Sequence, residues 1–431
     1  MRFPRFYYGW WIVVVSFIGD FMSAGVGAFA FSLFLKPMSE ELGWARSMTA
    51  GAFTLRTIAG AVSAPIMGPL LDRYGARPLM VFGALLGGFG ILALSRTTEL
   101  WHFYLFYGVL GAIGLIEFGG FITSTAISKW FIRKRGRALA IATMGITLGG
   151  VVLTPVAQYL ISNFGWRTAW LVLGITIWAV VVAPAAIFMR RRPEDMGLLP
   201  DGDKAPANDP SNTVSHARPA DQEQVWTLKA ALKTPTLWLA LIAFNLNGLG
   251  ASAIVIHEVA YLTDRGYSTT LAVAVATGHA LFAALGTFVA GLIAEKVSVR
   301  HCLIVAFLGA SVGVGILMNA ANTTVLLFFA LIYGFSLGSY IVLNPLVWAN
   351  YYGRTFLGTI RGVVMPLQML ASSIGPLFAA LIYDSTASYQ WALSTYMVCW
   401  LLAAFFIFLA KPPRAPKPAE TELAREQVGS V

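Results

Sequence analysis

Long apolar stretches separated by short polar turns dominate the chain, at lengths typical of helices that cross a bilayer. A crossing helix needs about 20 mainly apolar residues. Twelve stretches fit this length, at about 9–35, 46–71, 78–95, 101–128, 138–162, 167–189, 236–262, 270–294, 300–319, 323–349, 358–383 and 390–410. The pattern predicts an all-α membrane protein with 12 transmembrane helices in two six-helix bundles. The first stretch has no small-residue cleavage site, so we expect a retained helix.

A polar segment divides the twelve stretches into two sets of six. It covers about 190–234 and is rich in Pro, Asp, Asn and Ser, a composition that cannot bury a core. We therefore predict a first bundle over 1–189, a flexible or partly helical cytoplasmic linker over 190–234 and a second bundle over 235–410. Residues 411–431 are predicted to form a disordered cytoplasmic tail.

Composition and charge support a membrane protein. Hydrophobic residues make up 57% of the chain and charged residues 12%, against about 25% charged in soluble domains. This excludes a soluble enzyme and a disordered protein. Of the 30 Lys and Arg residues, 24 fall on one side of the predicted membrane; the other side carries five, Lys36, Arg46, Arg96, Arg167 and Arg265, and Arg56 lies inside a span. This bias predicts an inner-membrane protein with both termini cytoplasmic, and it explains the net charge of +10 without nucleic acid.

An internal repeat relates the two halves. The segment Gly68 to Arg77 (GPLLDRYGAR) shares the spacing of glycine, acid, base and final arginine with Gly291 to Arg300 (GLIAEKVSVR), 223 positions later. Two further matches, of Trp130-Phe131-x-Arg133 with Tyr351-Tyr352-x-Arg354 and of Pro155 with Pro376, have an offset of 221. The repeat predicts parallel, duplicated bundles. An acid at this junction can cap a helix or pair with an arginine, so we expect a gating latch from Asp72, Arg73, Arg77, Glu295, Lys296 and Arg300.

The Gly68 to Arg77 segment and its second copy resemble the loop signature of the major facilitator superfamily. Five further segments resemble its bacterial monocarboxylate-porter and oxalate–formate antiporter-like branch: Tyr8 to Trp11 (YGWW), Gly43 to Arg46 (GWAR), Lys129 to Phe131 (KWF), Arg191 to Leu198 (RRPEDMGL) and Tyr261 to Gly266 (YLTDRG). The resemblance implies alternating access around a midplane site, with a small carboxylate moved together with a proton. Animal members of the family carry a functional lysine in the first helix, which is Phe29 here. The substrate-binding arginine that they share with their bacterial relatives is Thr287 here, and an acidic partner is Ala283.

Three ionisable residues inside the first six spans are candidate functional groups, because such side chains are costly in a bilayer. Asp20 and Glu117 are candidate proton-coupling residues. The alternative for Asp20 is a carboxylate hydrogen-bonded within this half. Arg56 is the candidate anchor for an organic anion, and the alternative is a structural pair of Arg56 with Glu117 or Asp20.

The second half offers His279 as a third proton-coupling candidate. It lies two turns from Thr287, so both side chains should share a face of the eighth helix. Histidine titrates near physiological pH, and the alternative is a packing role. Thr287 is a candidate substrate contact. His257 and Glu258, near the outer end of the seventh helix, are expected to act in gating.

Other polar and aromatic residues at mid-membrane depth are candidate substrate contacts, with helix packing as the alternative for each. They are Tyr107, Asn245, Asn247, Tyr333, Tyr340 and Gln368. Tyr333 and Tyr340 are seven residues apart and should share a face, and Tyr107 matches Tyr333 in the repeat. Arg361 is expected to be a latch residue at the cytoplasmic end of the eleventh helix.

No Walker loop, metal-ligand spacing or nucleophile motif occurs, so we expect neither an enzyme nor a cofactor or metal site. The sequence predicts a monomeric secondary transporter that moves a small organic anion, a monocarboxylate by resemblance, in symport with a proton. The alternative is proton-driven efflux of a hydrophobic or cationic compound. A non-transporting sensor would need a folded appendage, for which neither the linker nor the tail is suited.

Overall fold

The computed structural model describes residues 7–44, 46–203 and 225–414. Its described part consists of helices and connecting turns without a strand, which confirms the predicted all-α class. Ten of its helices are long and apolar enough to cross a membrane. One of them, Arg135–Phe188, turns at Gly165 (φ 79°, ψ 160°) and makes two crossings, and the less apolar Arg46–Tyr74 completes twelve.

The helices lie within a few residues of the predicted stretches. They are α1 (Gly9–Leu42), α2 (Arg46–Tyr74), α3 (Ala76–Ala93), α4 (Leu100–Trp130), α5 (135–164), α6 (166–188), α7 (Pro235–Asp264), α8 (Thr269–Ile293), α9 (Val299–Met318), α10 (Thr323–Tyr352), α11 (Leu357–Thr386) and α12 (Gln390–Leu409). The largest difference is in α1, which continues through a π-helical turn at Gly25–Phe29 to Leu42 rather than ending near residue 35.

Helix α4 is interrupted near the middle of its length. Its segment Ala112–Glu117 ends at Phe118, Gly119 has an extended backbone, and a new helix runs over Gly120–Trp130. Before the break, Gly114 brings the α4 backbone close to α3, where a Cβ would lie 2.2 Å from the nitrogen of Gly87. The interruption presents the start of a helix to the centre of the molecule.

The two halves pack by the same plan. In the first half α1 lies along α5, and in the second half their repeat equivalents α7 and α11 lie together. The halves meet where α2 packs on α11 and where α8 packs on α5, and these two contacts are again repeat equivalents. A Cβ on Gly68 would lie 2.4 Å from the oxygen of Gly358, and one on Gly136 would lie 2.2 Å from the oxygen of Gly291. Glycines therefore allow backbone contact at both crossings.

The segment that connects the two halves, here called the connecting segment, is described over 190–203 and is held against the helices. Asp201, in a left-handed conformation (φ 60°), accepts hydrogen bonds from the backbone nitrogens of Ile132 (3.1 Å), Arg133 (2.8 Å) and Lys134 (3.0 Å). Burial, followed by the nearby Asp201 carboxylate, raises the pKa of the Tyr7 hydroxyl, which donates to Trp130. The described part of the predicted linker, 190–203, contains short helical turns at Pro193–Met196 and Pro200–Gly202, while 204–224 and the tail from 415 lie outside the described residues.

Candidate functional site

A cavity of about 270 Å³ lies between the two halves, at the interruption of α4. The first half contributes α1, α5 and the interruption of α4, and the second half contributes α10 and α11. Its lining includes Ser23, Gly119, Phe121, Thr143, Tyr340, Asn344, Trp348, Arg361 and Gln368. A site between the halves is accessible to a solute whenever the halves separate at one face.

Arg361, which was predicted to be a latch residue, is the charged side chain of this cavity lining. It belongs to α11, and only 9% of the residue is exposed. Its guanidinium crosses to α4 of the other half and donates to the hydroxyl oxygens of Ser124 (2.7 Å) and Thr125 (2.9 Å). It also lies 5.5 Å from the centre of the Phe121 ring. A buried cation in an otherwise uncharged lining attracts an anion.

Asp20 lies within Coulombic range of this arginine. It is 1% exposed on α1, and its Oδ1 accepts a hydrogen bond from the Thr123 hydroxyl at 2.7 Å. Its other oxygen, Oδ2, accepts no hydrogen bond from the described residues. The carboxylate is therefore bonded within its own half, as one alternative predicted, and it also interacts with a cation of the second half.

A polar group on α10 and α11 forms the opposite wall of the cavity. The Asn344 side-chain nitrogen donates to the Tyr340 hydroxyl (2.8 Å) and to Oε1 of Gln368 (3.3 Å). The Gln368 nitrogen has no hydrogen-bond partner in the described structure. Tyr340 and Gln368 were predicted contacts and both line the cavity. Asn344 was missed, because Pro345 and an apolar run surround it in the sequence.

A second cavity of about 540 Å³ continues the site away from the face at which the described chain begins (Tyr7) and ends (Arg414), here called the terminal face. It shares Tyr340, Met365 and Gln368 with the first cavity. Its other walls come from the far half of α2, α7 and α11, and include Thr54, Ser252, Ile256 and Met369. The combined space thus extends from the centre toward the opposite face.

The terminal face is closed by two equivalent acid-to-helix contacts. Asp72, at the end of α2, accepts from the Gly358 nitrogen (3.1 Å), the Thr359 nitrogen (2.7 Å) and the Thr359 hydroxyl (2.8 Å) at the start of α11. Glu295, just after α8, accepts from the Arg137 backbone nitrogen (3.0 Å) and guanidinium at the start of α5. Each acid caps a helix of the other half, which is the geometry that the repeat predicts for a latch.

The basic members of the predicted latch do not bridge the halves. Arg73 is exposed and lies over the Tyr74 ring, Arg77 and Lys296 are exposed, and Arg300 lies over the Phe408 ring. Arg137 instead pairs with Glu295 across the halves, although it was not predicted to act in the latch.

Four predicted substrate contacts lie in helix packing rather than in the central cavity. The Thr287 hydroxyl donates to Ala283 and Gly338 oxygens, Tyr107 donates to the Gly27 oxygen, Tyr333 packs on Trp400, and Asn247 accepts from the Trp400 indole. All four are at most 3% exposed. For Tyr333 and Tyr340, a shared helix face therefore did not mean a shared cavity. Asn245 is half-buried and is not part of either cavity lining.

Glu117 and Arg56 are apart, which makes the predicted Glu117–Arg56 pair wrong. Both Glu117 oxygens accept no hydrogen bond from the described residues, and its Cβ faces Gly83 of α3. Arg56 lies over the Tyr107 ring, 5.7 Å from its centre, and is not part of either cavity lining. Asp20, the other predicted partner of Arg56, accepts a hydrogen bond from Thr123 at its Oδ1 instead.

Glu258 and His279 form a buried pair between α7 and α8, at an Nδ1–Oε2 distance of 2.8 Å. Their side chains are 1% and 6% exposed, and the ring packs against Tyr333. Glu258, which was predicted to act in gating, therefore has His279 as its partner. His257 instead contacts the Pro376 oxygen (3.0 Å) and the Tyr389 hydroxyl (3.3 Å). No cluster able to hold a metal ion occurs in the described residues.

Comparisons with known proteins agree with the fold. The family model described as "Major Facilitator Superfamily" matches residues 12–278 and 250–430. Monocarboxylate transporter 11 of Mus musculus is 26% identical over 438 residues, covering 95% of this chain and 88% of that protein. The agnestins efflux protein of Paecilomyces divaricatus is 27% identical over 376 residues, covering 84% and 78%. The solved fucose:proton symporter of E. coli superposes with a TM-score of 0.68 at 14% identity, covering 94% and 100%.

Proposed function

The chain belongs to the Major Facilitator Superfamily, and on this premise we propose that it moves a small organic anion across the bacterial inner membrane in symport with a proton. It is a multi-pass membrane transporter and not an enzyme. A monocarboxylate is the proposed substrate, and both termini are proposed to be cytoplasmic, so that the terminal face is the cytoplasmic face.

Arg361 is the observation on which the choice of an anion rests. It is a buried guanidinium in the lining of the central cavity, where no carboxylate is part of the lining. A guanidinium can hold a carboxylate through two parallel hydrogen bonds. Tyr340, Asn344 and Gln368 on the facing wall would supply further hydrogen bonds, and Trp348 and Phe121 an apolar surface for the rest of the solute.

Asp20 is the proposed carrier of the proton. We choose it from the three residues predicted for this role, Asp20, Glu117 and His279, because it is the one that interacts with Arg361. While ionised, Asp20 attracts the guanidinium toward the first half. Protonation removes that attraction, and Arg361 becomes available to the substrate carboxylate. The loaded site then contains one cation and one anion, which lowers the cost of moving it through the low-dielectric centre. Asp20, Glu117 and the Glu258–His279 pair all lie outside the cavity lining, so the interaction with Arg361 is what distinguishes Asp20.

Uptake into proteoliposomes tests this function. We would measure labelled lactate, pyruvate and larger aromatic acids with and without an inward proton gradient. Arg361→Gln should raise KM at least about 30-fold, because it removes charge-assisted hydrogen bonds to the substrate. Arg361→Lys should retain part of the affinity, and Asp20→Asn should abolish stimulation by the gradient.

Arg56→Gln is the matched control, since it removes the other arginine located inside a span. Its uptake should remain within about threefold of the wild type. If Arg56→Gln abolishes uptake while Arg361→Gln is active, the anchor is Arg56 and our assignment of the cavity is wrong. If no acid is taken up by the wild type, the anion proposal fails.

Proton-driven efflux of a larger, more hydrophobic compound is the second candidate. It is favoured by the cavity of about 540 Å³ that continues the site and includes Met365, Met369 and Ile256. Methionine side chains adapt to varied apolar ligands. The relative from Paecilomyces carries the name of an efflux protein. Extrusion of a hydrophobic dye from loaded vesicles, unaffected by Arg361→Gln, would support this candidate over anion symport.

A further inference from the structure

A separate cavity of about 330 Å³ opens at the terminal face. It is built from three parts of the chain. The first half contributes the end of α2 and Lys129, the connecting segment contributes Arg191, Arg192 and Glu194, and the second half contributes Arg354 to Phe356 and Thr359. The walls are therefore assembled only while the two halves are together at this face.

Cations outnumber carboxylates in this cavity. Its lining includes five basic side chains, Arg73, Lys129, Arg191, Arg192 and Arg354, and two carboxylates, Asp72 and Glu194. Both carboxylates are already engaged. Asp72 accepts from Lys129 at 2.9 Å and from α11, and Glu194 pairs with Arg354 at 2.7 Å.

Two of the arginines have no carboxylate of their own. Arg192 pairs with Asp195 at 2.8 Å, whereas Arg73 and Arg191 form no ion pair within the described structure. Arg73 is exposed and Arg191 is half-buried, so both are accessible to a ligand from the aqueous side. Thr355 and Thr359 add hydroxyl groups to the same cavity. This combination of cations and hydroxyl donors suits a group with several anionic oxygens.

We propose that this cavity binds a phosphate-bearing anion, with Arg73 and Arg191 as its principal contacts, and that the bound anion holds the terminal face closed. The anion is either the headgroup of an anionic phospholipid or a free phosphate compound. A ligand bound by residues from both halves stabilises the arrangement that brings them together, since it has no equivalent site when they separate. The site is distinct from the central cavity and does not depend on the substrate.

Binding is tested on the purified full chain by thermal unfolding in detergent, with inorganic phosphate added at constant ionic strength. The same measurement is made in nanodiscs of phosphatidylcholine with or without phosphatidylglycerol. Stabilisation by both probes indicates the shared chemistry, and stabilisation by phosphatidylglycerol alone identifies the lipid as the source. Stabilisation by inorganic phosphate alone identifies the free anion.

Charge variants separate this site from general attraction to a basic surface. Arg73→Gln with Arg191→Gln should weaken binding about 25-fold, at about fivefold for each charge. Arg190→Gln removes a neighbouring charge outside the cavity lining and should leave the affinity unchanged. Glu194→Gln should act in the opposite direction and tighten binding by about fivefold, because it removes a competing carboxylate.

Closure of the terminal face provides an independent measurement. Spin labels on Arg77→Cys and Lys296→Cys, which are exposed positions in different halves, should show a larger closed population when the stabilising probe is present. The proposal is overturned if neither probe stabilises the chain, if the double variant binds as well as Arg190→Gln, or if the probe leaves the distance distribution unchanged.

Discussion

The Asp72 contact gives the most direct prediction about how the terminal face closes. We expect Asp72→Asn to shift the protein away from the closed arrangement. Of the four hydrogen bonds that the carboxylate accepts, three come from α11 of the other half and one from Lys129 of its own half. Only the three from Gly358 and Thr359 must break when the halves separate.

The magnitude follows from those three bonds. Hydrogen bonds to a charged group contribute about 1.5–3 kcal/mol each. Asparagine retains one acceptor oxygen, and water satisfies the freed donors in the open arrangement. We therefore expect a net loss of about 3 kcal/mol for the closed state. This equals about a 150-fold fall in the ratio of closed to open molecules.

Pulsed electron–electron double resonance between spin labels at Arg77→Cys and Lys296→Cys measures the ratio of closed to open molecules as two distance populations. The background would have Cys302 and Cys399 replaced by serine, since both are free thiols. Asp195→Asn is the matched control, because it removes the same charge at the same face from an exposed pair that does not join the halves. If Asp72→Asn shifts the populations no further than this control does, Asp72 is not a latch.

Three further predictions concern stability and local order. His279→Leu leaves the Glu258 carboxylate buried without its partner and should destabilise the protein by about 3 kcal/mol, measured by thermal unfolding, with less loss when Glu258 is also neutralised. Asp201→Ala should increase hydrogen exchange at the backbone amides of residues 132–134, because these amides donate to the Asp201 carboxylate. Unchanged protection of these amides would show that the connecting segment is held by other contacts. Gly338→Ala places a Cβ 1.8 Å from an α8 oxygen and should cost about 1–3 kcal/mol or more, whereas Gly278→Ala meets only ordinary contact at 3.8 Å and should be tolerated.

The repeat predicted more of the terminal face than of the central site. Equal spacing from Gly68 to Asp72 and from Gly291 to Glu295 already implied two equivalent junctions. In the structure each glycine lies against the backbone of the other half and each acid caps a helix there. A local motif carries this information, because the close approach and the cap need those residue types at that spacing.

The central site depended on which face of each helix turns inward. Arg361 lies only four residues from the start of α11, and its sequence position suggested an end of the membrane. The structure directs its side chain toward α4, where the interruption at Gly119 presents Ser124 and Thr125. No pattern around Arg361 indicates this, since the acceptors belong to a distant part of the chain.

The sequence by itself determined the number and approximate bounds of the crossing helices, the duplication and the excess of charge on one side. Each follows from the length of apolar stretches and from local spacing, which do not depend on the rest of the fold. Tertiary structure alone decided that Asp20 lies within Coulombic range of Arg361, and that Glu258 pairs with His279. A helix in a bilayer has apolar neighbours on every side, lipid or protein, so its pattern does not reveal which face lines the cavity.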